Sequence, residues 1–250
     1  MKRKKEPQGA REDLEQLLKL LRLKKIAQVL DRELERAERS EPSYAEFLAR
    51  LLREQMLFQQ ERAVLYRMQK ARLPTKWTLE SFPFDRQPGV SKATIMQLAE
   101  LDFVRRASNI VFIGETGRGK TGIAVGLLVK ALENGYRCLF VKAQDLFDEM
   151  YASLADRATR SLVKRLAGID LLVVDELGYL TIRPEQSNIF FKLLDERYGR
   201  KATIITTNLE YDSWHEFLGN KKMVDALLSR LRHHCLTIRI DGPTLRNTEE

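Results

Sequence analysis

The first quarter of the chain is patterned at helical spacing. Leu14, Leu17, Leu18 and Leu21 recur at i, i+3, i+4 and i+7, the apolar stripe of an amphipathic helix. Leu23, Ile26, Leu30 and Leu34 prolong the stripe, with Lys24, Lys25, Arg32 and Arg36 on other faces. Ser40-Glu41-Pro42-Ser43 interrupts it. Ser43, with Glu46 three residues on, then forms a capping box for a second helix bearing Phe47, Leu48, Leu51 and Leu52. Residues 55–72 add Leu57, Val64, Leu65 and Met68. Residues 11–73 lack glycine and hold one proline, Pro42, so they predict a small domain of two or three helices. Residues 1–10, basic and punctuated by Pro7 and Gly9, predict a disordered arm.

The pattern then changes. Pro74, Pro83, Pro88 and Gly89 mark residues 74–90 as a linker, interrupted by Trp77, Phe82 and Phe84. Those aromatics either meet an adenine ring or fill grooves of the domain that follows. Residues 91–107 predict one helix through Ile95, Leu98, Leu101, Phe103 and Val104. From there short apolar runs alternate with helical stretches. Residues 109–113, 137–142, 171–174, 202–208 and 236–240 read as strands, and residues 143–154, 186–196, 214–218 and 224–231 as helices. Continuous apolar strands separated by helices predict an α/β domain over residues 91–250 with a buried parallel sheet.

Composition narrows the picture. At 250 residues, 44% hydrophobic and 31% charged, the chain has room for one α/β domain and an appendage. No apolar run approaches the roughly 20 residues that span a bilayer, and none follows the basic start Met1-Lys2-Arg3-Lys4-Lys5. Neither a membrane nor secretion is therefore expected. Two cysteines, Cys138 and Cys235, are too few for a zinc cluster and suit a reducing, cytoplasmic setting. The net charge of +8 is unevenly spread. Residues 1–73 carry 18 Lys and Arg against 12 Asp and Glu, and residues 74–250 carry 25 against 23. That excess makes nucleic acid the leading polyanionic partner, the alternative being a solvated surface.

Two stretches carry chemistry. Gly114-Glu115-Thr116-Gly117-Arg118-Gly119-Lys120-Thr121 reads G-x-x-x-x-G-K-T, between the strand at 109–113 and a helix through Ile123, Leu127, Leu128, Ala131 and Leu132 that stops at Asn134-Gly135. Glycines let the backbone aim successive N–H groups at phosphate oxygens, and the helix start adds positive potential. Lys120 brings a cation to the β- and γ-phosphates of ATP, and the Thr121 hydroxyl ligates Mg²⁺. Glu115 and Arg118 occupy variable positions of this loop. About 55 residues on, Leu171-Leu172-Val173-Val174-Asp175-Glu176 is an apolar run ending in two carboxylates. Paired with the loop, it reads as a Walker B strand: Asp175 holds the Mg²⁺ shell and Glu176 polarises the attacking water. In open α/β sheets ligands bind at the carboxyl ends of strands, where both motifs converge. Asn208 ends the strand at 202–208; its amide either orients the lytic water or is a turn residue. Arg230 ends a helix, where it either reaches a neighbouring subunit's γ-phosphate or is a favoured C-terminal cation. His233-His234-Cys235 cannot all face one tetrahedral ion, so no metal is expected there.

Gly114–Thr121, LLVVDELGYL, TIITTNL and LLSRLRHHC, behind a helical module and the stretch WTLESFPF, together resemble the IstB-like ATP-binding proteins over roughly residues 14–246. These are helper ATPases of bacterial insertion sequences, of the AAA+ class and close to DnaC-type helicase loaders. The resemblance implies a P-loop NTPase fold with a five-stranded parallel sheet flanked by helices. It implies ATP and Mg²⁺ as cofactors, and ATP-driven homo-oligomers, ring or helical, on duplex DNA. A cognate transposase is the implied partner, with target-DNA selection as the task. By motif position Asn208 would be sensor 1 and Arg230 an arginine finger acting in trans, with Arg246 where a sensor 2 arginine sits. Residues 157–165 fall where initiator-clade relatives carry a DNA-facing helix. Arg157, Arg160, Lys164 and Arg165 are therefore the candidates for DNA contact. Two rival readings use the same core motifs. A helicase loader would bind its helicase through the N-terminal module, and a small-molecule kinase would need a substrate pocket with a lid.

Overall fold

The computed structural model describes residues 8–75, 77–179 and 181–246. The chain divides into two compact units, one ending at Tyr66 and the other starting at Arg67.

The first unit is helical: α1 (Gln8–Leu20), α2 (Lys24–Ser40) and α3 (Tyr44–Lys70), whose last residues from Arg67 belong to the second unit. The boundary thus falls inside a helix, ahead of the proline-rich stretch where composition changes. α1 begins within the stretch expected to be an arm; residues 1–7 of that arm lie outside the described residues. The capping box forms as expected: Ser43 N–H donates to Glu46 Oε2 at 2.9 Å, and Glu46 N–H donates to Ser43 Oγ at 3.3 Å. Gln55 Oε1 accepts the N–H groups of Lys25 and Ile26, satisfying open donors at the start of α2. Leu18, Ile26, Val29, Leu30 and Leu51 make the core. Of the four leucines in the α1 stripe only Leu18 is buried, because so small a core covers a single row.

The second unit contains α4 (Lys92–Leu98), α5 (Asp102–Arg105), β1 (Asn109–Ile113), α6 (Lys120–Glu133), β2 (Cys138–Lys142), α7 (Ala143–Ala155) and α8 (Thr159–Ala167). It continues with β3 (Leu171–Leu177), α9 (Pro184–Arg197), β4 (Ala202–Thr207), α10 (Trp214–Leu218), α11 (Lys221–His233) and β5 (Cys235–Arg239). Among the described residues the five strands form one parallel sheet in the order β2-β3-β4-β1-β5. Alternation along each strand feeds two core layers. Ile110 and Phe112 of β1 pack in the α6 layer, and Val111 and Ile113 in the layer of α7, α8, α9 and α11. Burial on both faces explains why β1, β2 and the first half of β3 read as unbroken apolar runs, whereas the edge strand β5 is only partly buried.

One expectation is corrected. The helix expected over 91–107 is broken, because Leu101 turns left-handed at φ 62°. That turn buries Leu101 as well as Phe103 and Val104. In the stretch 74–90, where the aromatics are expected to meet an adenine ring or to fill grooves of the domain, Phe82 fills a groove. Leu79 and Phe82 are 1% and 4% exposed and belong to the α6 core layer. Leu79 sits so close to Gly126 that a Cβ there would lie 2.5 Å from Leu79 Cδ2, so the glycine in mid-helix admits the aromatic-rich segment against α6. Cys138 and Cys235 lie on β2 and β5, opposite edges of the sheet. Burial pushes their thiols up to about 12 and about 11, which leaves both unreactive.

Arg197 closes the end of the sheet opposite the carboxyl ends of the strands. It is 1% exposed, and its guanidinium donates to Leu166 O at 2.7 Å, Ile169 O at 2.8 Å, Thr203 Oγ1 at 3.0 Å and to Ala202 O. Burial lowers its pKa to about 9, so it stays cationic at neutral pH. Arg197→Ala takes the guanidinium donor from all four of these acceptors, and we expect a loss of about 3–5 kcal/mol of stability. Arg197→Lys restores little, since an ammonium cannot copy the planar fork. Thermal melting of the two variants checks this; melting points like that of the parent protein would refute it.

Candidate nucleotide site

The site begins where β1 ends. Gly114 N–H donates to Thr207 O at 3.1 Å, and a Cβ on Gly114 would stand 2.6 Å from Ile240 O, so only glycine fits. Gly117 and Gly119 take φ of 84° and 89°, left-handed values that curl the loop before α6 starts at Lys120. Lys120 is 7% exposed, and its ammonium donates to Gly114 O at 2.6 Å and Glu115 O at 2.8 Å. Burial lowers its pKa, while the nearby Asp175 and Glu176 oppose that shift.

Asp175 is the buried centre, 2% exposed. Thr121 Oγ1 donates to its two oxygens at 2.9 and 3.1 Å, and Thr206 Oγ1 donates to Oδ1 at 2.5 Å. Burial raises its pKa, and the two hydroxyls hold it back. Glu176 follows at φ 61°, where the register with β4 shifts, and its N–H donates to Thr206 Oγ1 at 2.9 Å. This irregularity turns a half-exposed Glu176 side chain into a cavity of about 220 Å³ that Lys120, Thr121 and Thr116 also line. Trp77, Phe82 and Leu245 form an apolar wall of the same cavity. Tyr179 OH lies 2.6 Å from Thr116 Oγ1.

Other predicted residues divide by position. Asn208 follows β4 at the same end of the sheet, its Oδ1 3.0 Å from where a Cβ on Gly178 would stand. Glu115 and Arg118 pair with each other at 2.6 Å on the outer side of the loop. Arg230 is not brought to this cavity. It pairs with Asp195 at 3.2 Å, lies 5.4 Å over Phe191, and lines a small recess with Asn109, at the start of β1. Arg157, Arg160, Lys164 and Arg165 are all exposed, on or just before α8, with Arg165 2.5 Å from Glu149. His233 bonds the Tyr198 hydroxyl at 3.0 Å through Nδ1. Thr206 escaped sequence reasoning as a site residue; its only signal was a hydroxyl one place before Thr207 in a β-branched strand. Tyr179 was equally silent, being one residue in a loop.

The donor set suits Mg²⁺: one buried carboxylate and one hydroxyl, hard oxygens that leave most of an octahedron to water and phosphate. No described helix is long and apolar enough to cross a membrane. A family model described as "IstB-like ATP binding protein" matches residues 16–250. The chain is 34% identical over 238 residues to an insertion sequence IS21 putative ATP-binding protein of Pseudomonas aeruginosa, covering 95% of this chain and 90% of that one. It is 31% identical to the corresponding IS232 protein of Bacillus thuringiensis subsp. berliner, covering 92% of each. Among solved structures it is similar to DnaI, with TM-score 0.57, 19% identity, and 66% of this chain and 91% of that one covered. It is also similar to the DnaC helicase loader, with TM-score 0.52, 23% identity, and 60% and 87% covered. The sheet order, phosphate loop and carboxylate pair are those of a P-loop NTPase, and by sequence the chain belongs to the family of IstB-like ATP-binding proteins.

Proposed function

We propose that this chain hydrolyses ATP to ADP and phosphate, assembles through ATP into a homo-oligomer on duplex DNA, and helps a cognate transposase choose target DNA in the cytoplasm. One observation carries the ATPase reading: a buried Asp175 gripped by Thr121 and Thr206, beside Lys120 and a cavity-facing Glu176. Thr121 and Asp175 would hold Mg²⁺, which supplies charge neutralisation at the phosphates. Lys120 leaves its two loop carbonyls for phosphate oxygens. Glu176 takes a proton from water as the water oxygen bonds the γ-phosphorus and the bond to the bridging oxygen of ADP breaks. Asn208 orients that water. Arg230 lies far from its own loop, which supports a role at a neighbouring copy's nucleotide. The exposed cations on and before α8 and the basic N-terminal quarter support DNA binding, and the insertion-sequence names of the relatives support transposition.

Electron microscopy of the full chain with long duplex DNA and a non-hydrolysable ATP analogue tests this. Ordered assemblies are expected at low ionic strength and should vanish as salt rises, since phosphate contacts release counterions. A protein that stays monomeric and ignores DNA ends the proposal. Retention of a replicative helicase instead of the transposase in co-purification would make the chain a loader.

A further inference from the structure

We infer that Gln87 and the strap over residues 241–246 form a clasp that shapes the phosphate loop, making Gln87 and Gly242 positioning residues for nucleotide binding. Gln87 is fully buried, at 0% exposure. Its Nε2 has two hydrogens and spends one on Arg118 O at 3.0 Å and one on Pro243 O at 2.9 Å, 156 residues away. Its Oε1 accepts from Gly89 N–H at 3.2 Å. A buried side-chain amide is thus satisfied by three pieces of backbone. Beside it, Leu245 N–H donates to Gly117 O at 2.8 Å, and Arg118 Nη1 donates to Ile240 O at 3.1 Å.

The consequence follows from peptide geometry. In a trans peptide the carbonyl of one residue and the N–H of the next point in opposite directions. Holding the carbonyls of Gly117 and Arg118 on the outer side therefore turns the N–H groups of Arg118 and Gly119 inward, where a phosphate loop needs them. The packing leaves no slack. A Cβ on Gly242 would fall on the Gln87 amide oxygen, and a Cβ on Gly89 would collide with the Gly242 backbone. Neither Gln87 nor Gly242 lines the cavity, whereas Leu245 of the strap does. The clasp therefore acts through the loop and not on the nucleotide.

This inference rests on the loop being an ATP site, and the experiment separates the two. Titrate the full chain, Gln87→Ala, Gly242→Ala and the double variant with a fluorescent ATP analogue, and melt each without nucleotide. Each single variant is expected to bind about 10-fold more weakly, the scale of a lost buried hydrogen bond, with its nucleotide-free melting point still above the assay temperature. The double variant should bind no worse than the weaker single, because both changes open the same clasp. Should Gln87→Ala melt too low, Gln87→Glu keeps the shape, turns an acceptor on both carbonyls, and carries the same expectation. Parental affinity in Gly242→Ala, or losses that multiply in the double variant, overturns the clasp. A parent protein that does not bind the analogue overturns the ATP reading instead.

Discussion

Glu176→Gln is expected to slow ATP turnover by about 10²–10⁴-fold while leaving ATP affinity close to that of the parent protein. The glutamine has the same shape but cannot take a proton. Nothing else at this position should change, because backbone contacts fix it: the Glu176 N–H is held by Thr206 at 2.9 Å, and its left-handed φ of 61° aims the side chain. The salt bridge given up among the described residues is to Lys142, 4.0 Å away and half exposed, and such surface pairs contribute little. Steady-state phosphate release, read beside a nucleotide titration, separates the outcomes. Turnover at the parental rate would remove Glu176 from the role of base. Equal losses in turnover and affinity would make it a binding residue.

Lys120→Ala should act on the earlier step, costing roughly 10²–10³ in ATP affinity and with it nucleotide-dependent assembly on DNA. The ammonium is 7% exposed and rests on two loop carbonyls, so it is already desolvated at the place where phosphate arrives. Its transfer from two neutral acceptors to charged oxygens is favourable, because charge-assisted hydrogen bonds are about twice as strong. Burial lowers the Lys120 pKa, so the fold holds this cation at a cost, which offsets part of what is lost with its hydrogen bonds to Gly114 O and Glu115 O. The variant is therefore expected to melt near the parent while losing nucleotide. If Lys120→Ala coats duplex DNA as the parent does, ATP is not what drives assembly.

Local pattern carried a large part of this outcome. The strand at 109–113, the strand expected at 202–208 that ends one residue earlier at Thr207, the helix after the phosphate loop and the Ser43–Glu46 box were legible because each is dictated by neighbours in sequence. Unbroken apolar runs mean a sheet buried on both faces, and a glycine-rich turn ahead of a helix means a phosphate cradle. The Gly114–Thr121 and Asp175-Glu176 motifs were legible for the same reason. Reading stopped where a residue's role depends on something distant. Leu101 breaks a helix because doing so buries three side chains at once, which no periodicity reveals. Residues 74–90 look like a linker because prolines mark them, yet Leu79 and Phe82 gain burial against a glycine in α6.

The sequence by itself determined which residue types suit a triphosphate, and in which strand–loop–helix frame they sit. Only the tertiary structure decided which hydroxyls grip Asp175, that Glu176 turns out of its strand, that Arg230 stands at the far end of the sheet from its own loop, and that Gln87 ties that loop to residue 243. The physical reason is range. Propensity, capping and φ preference act over a few residues, whereas a buried carboxylate or amide is satisfied by whatever the fold brings within about 3 Å.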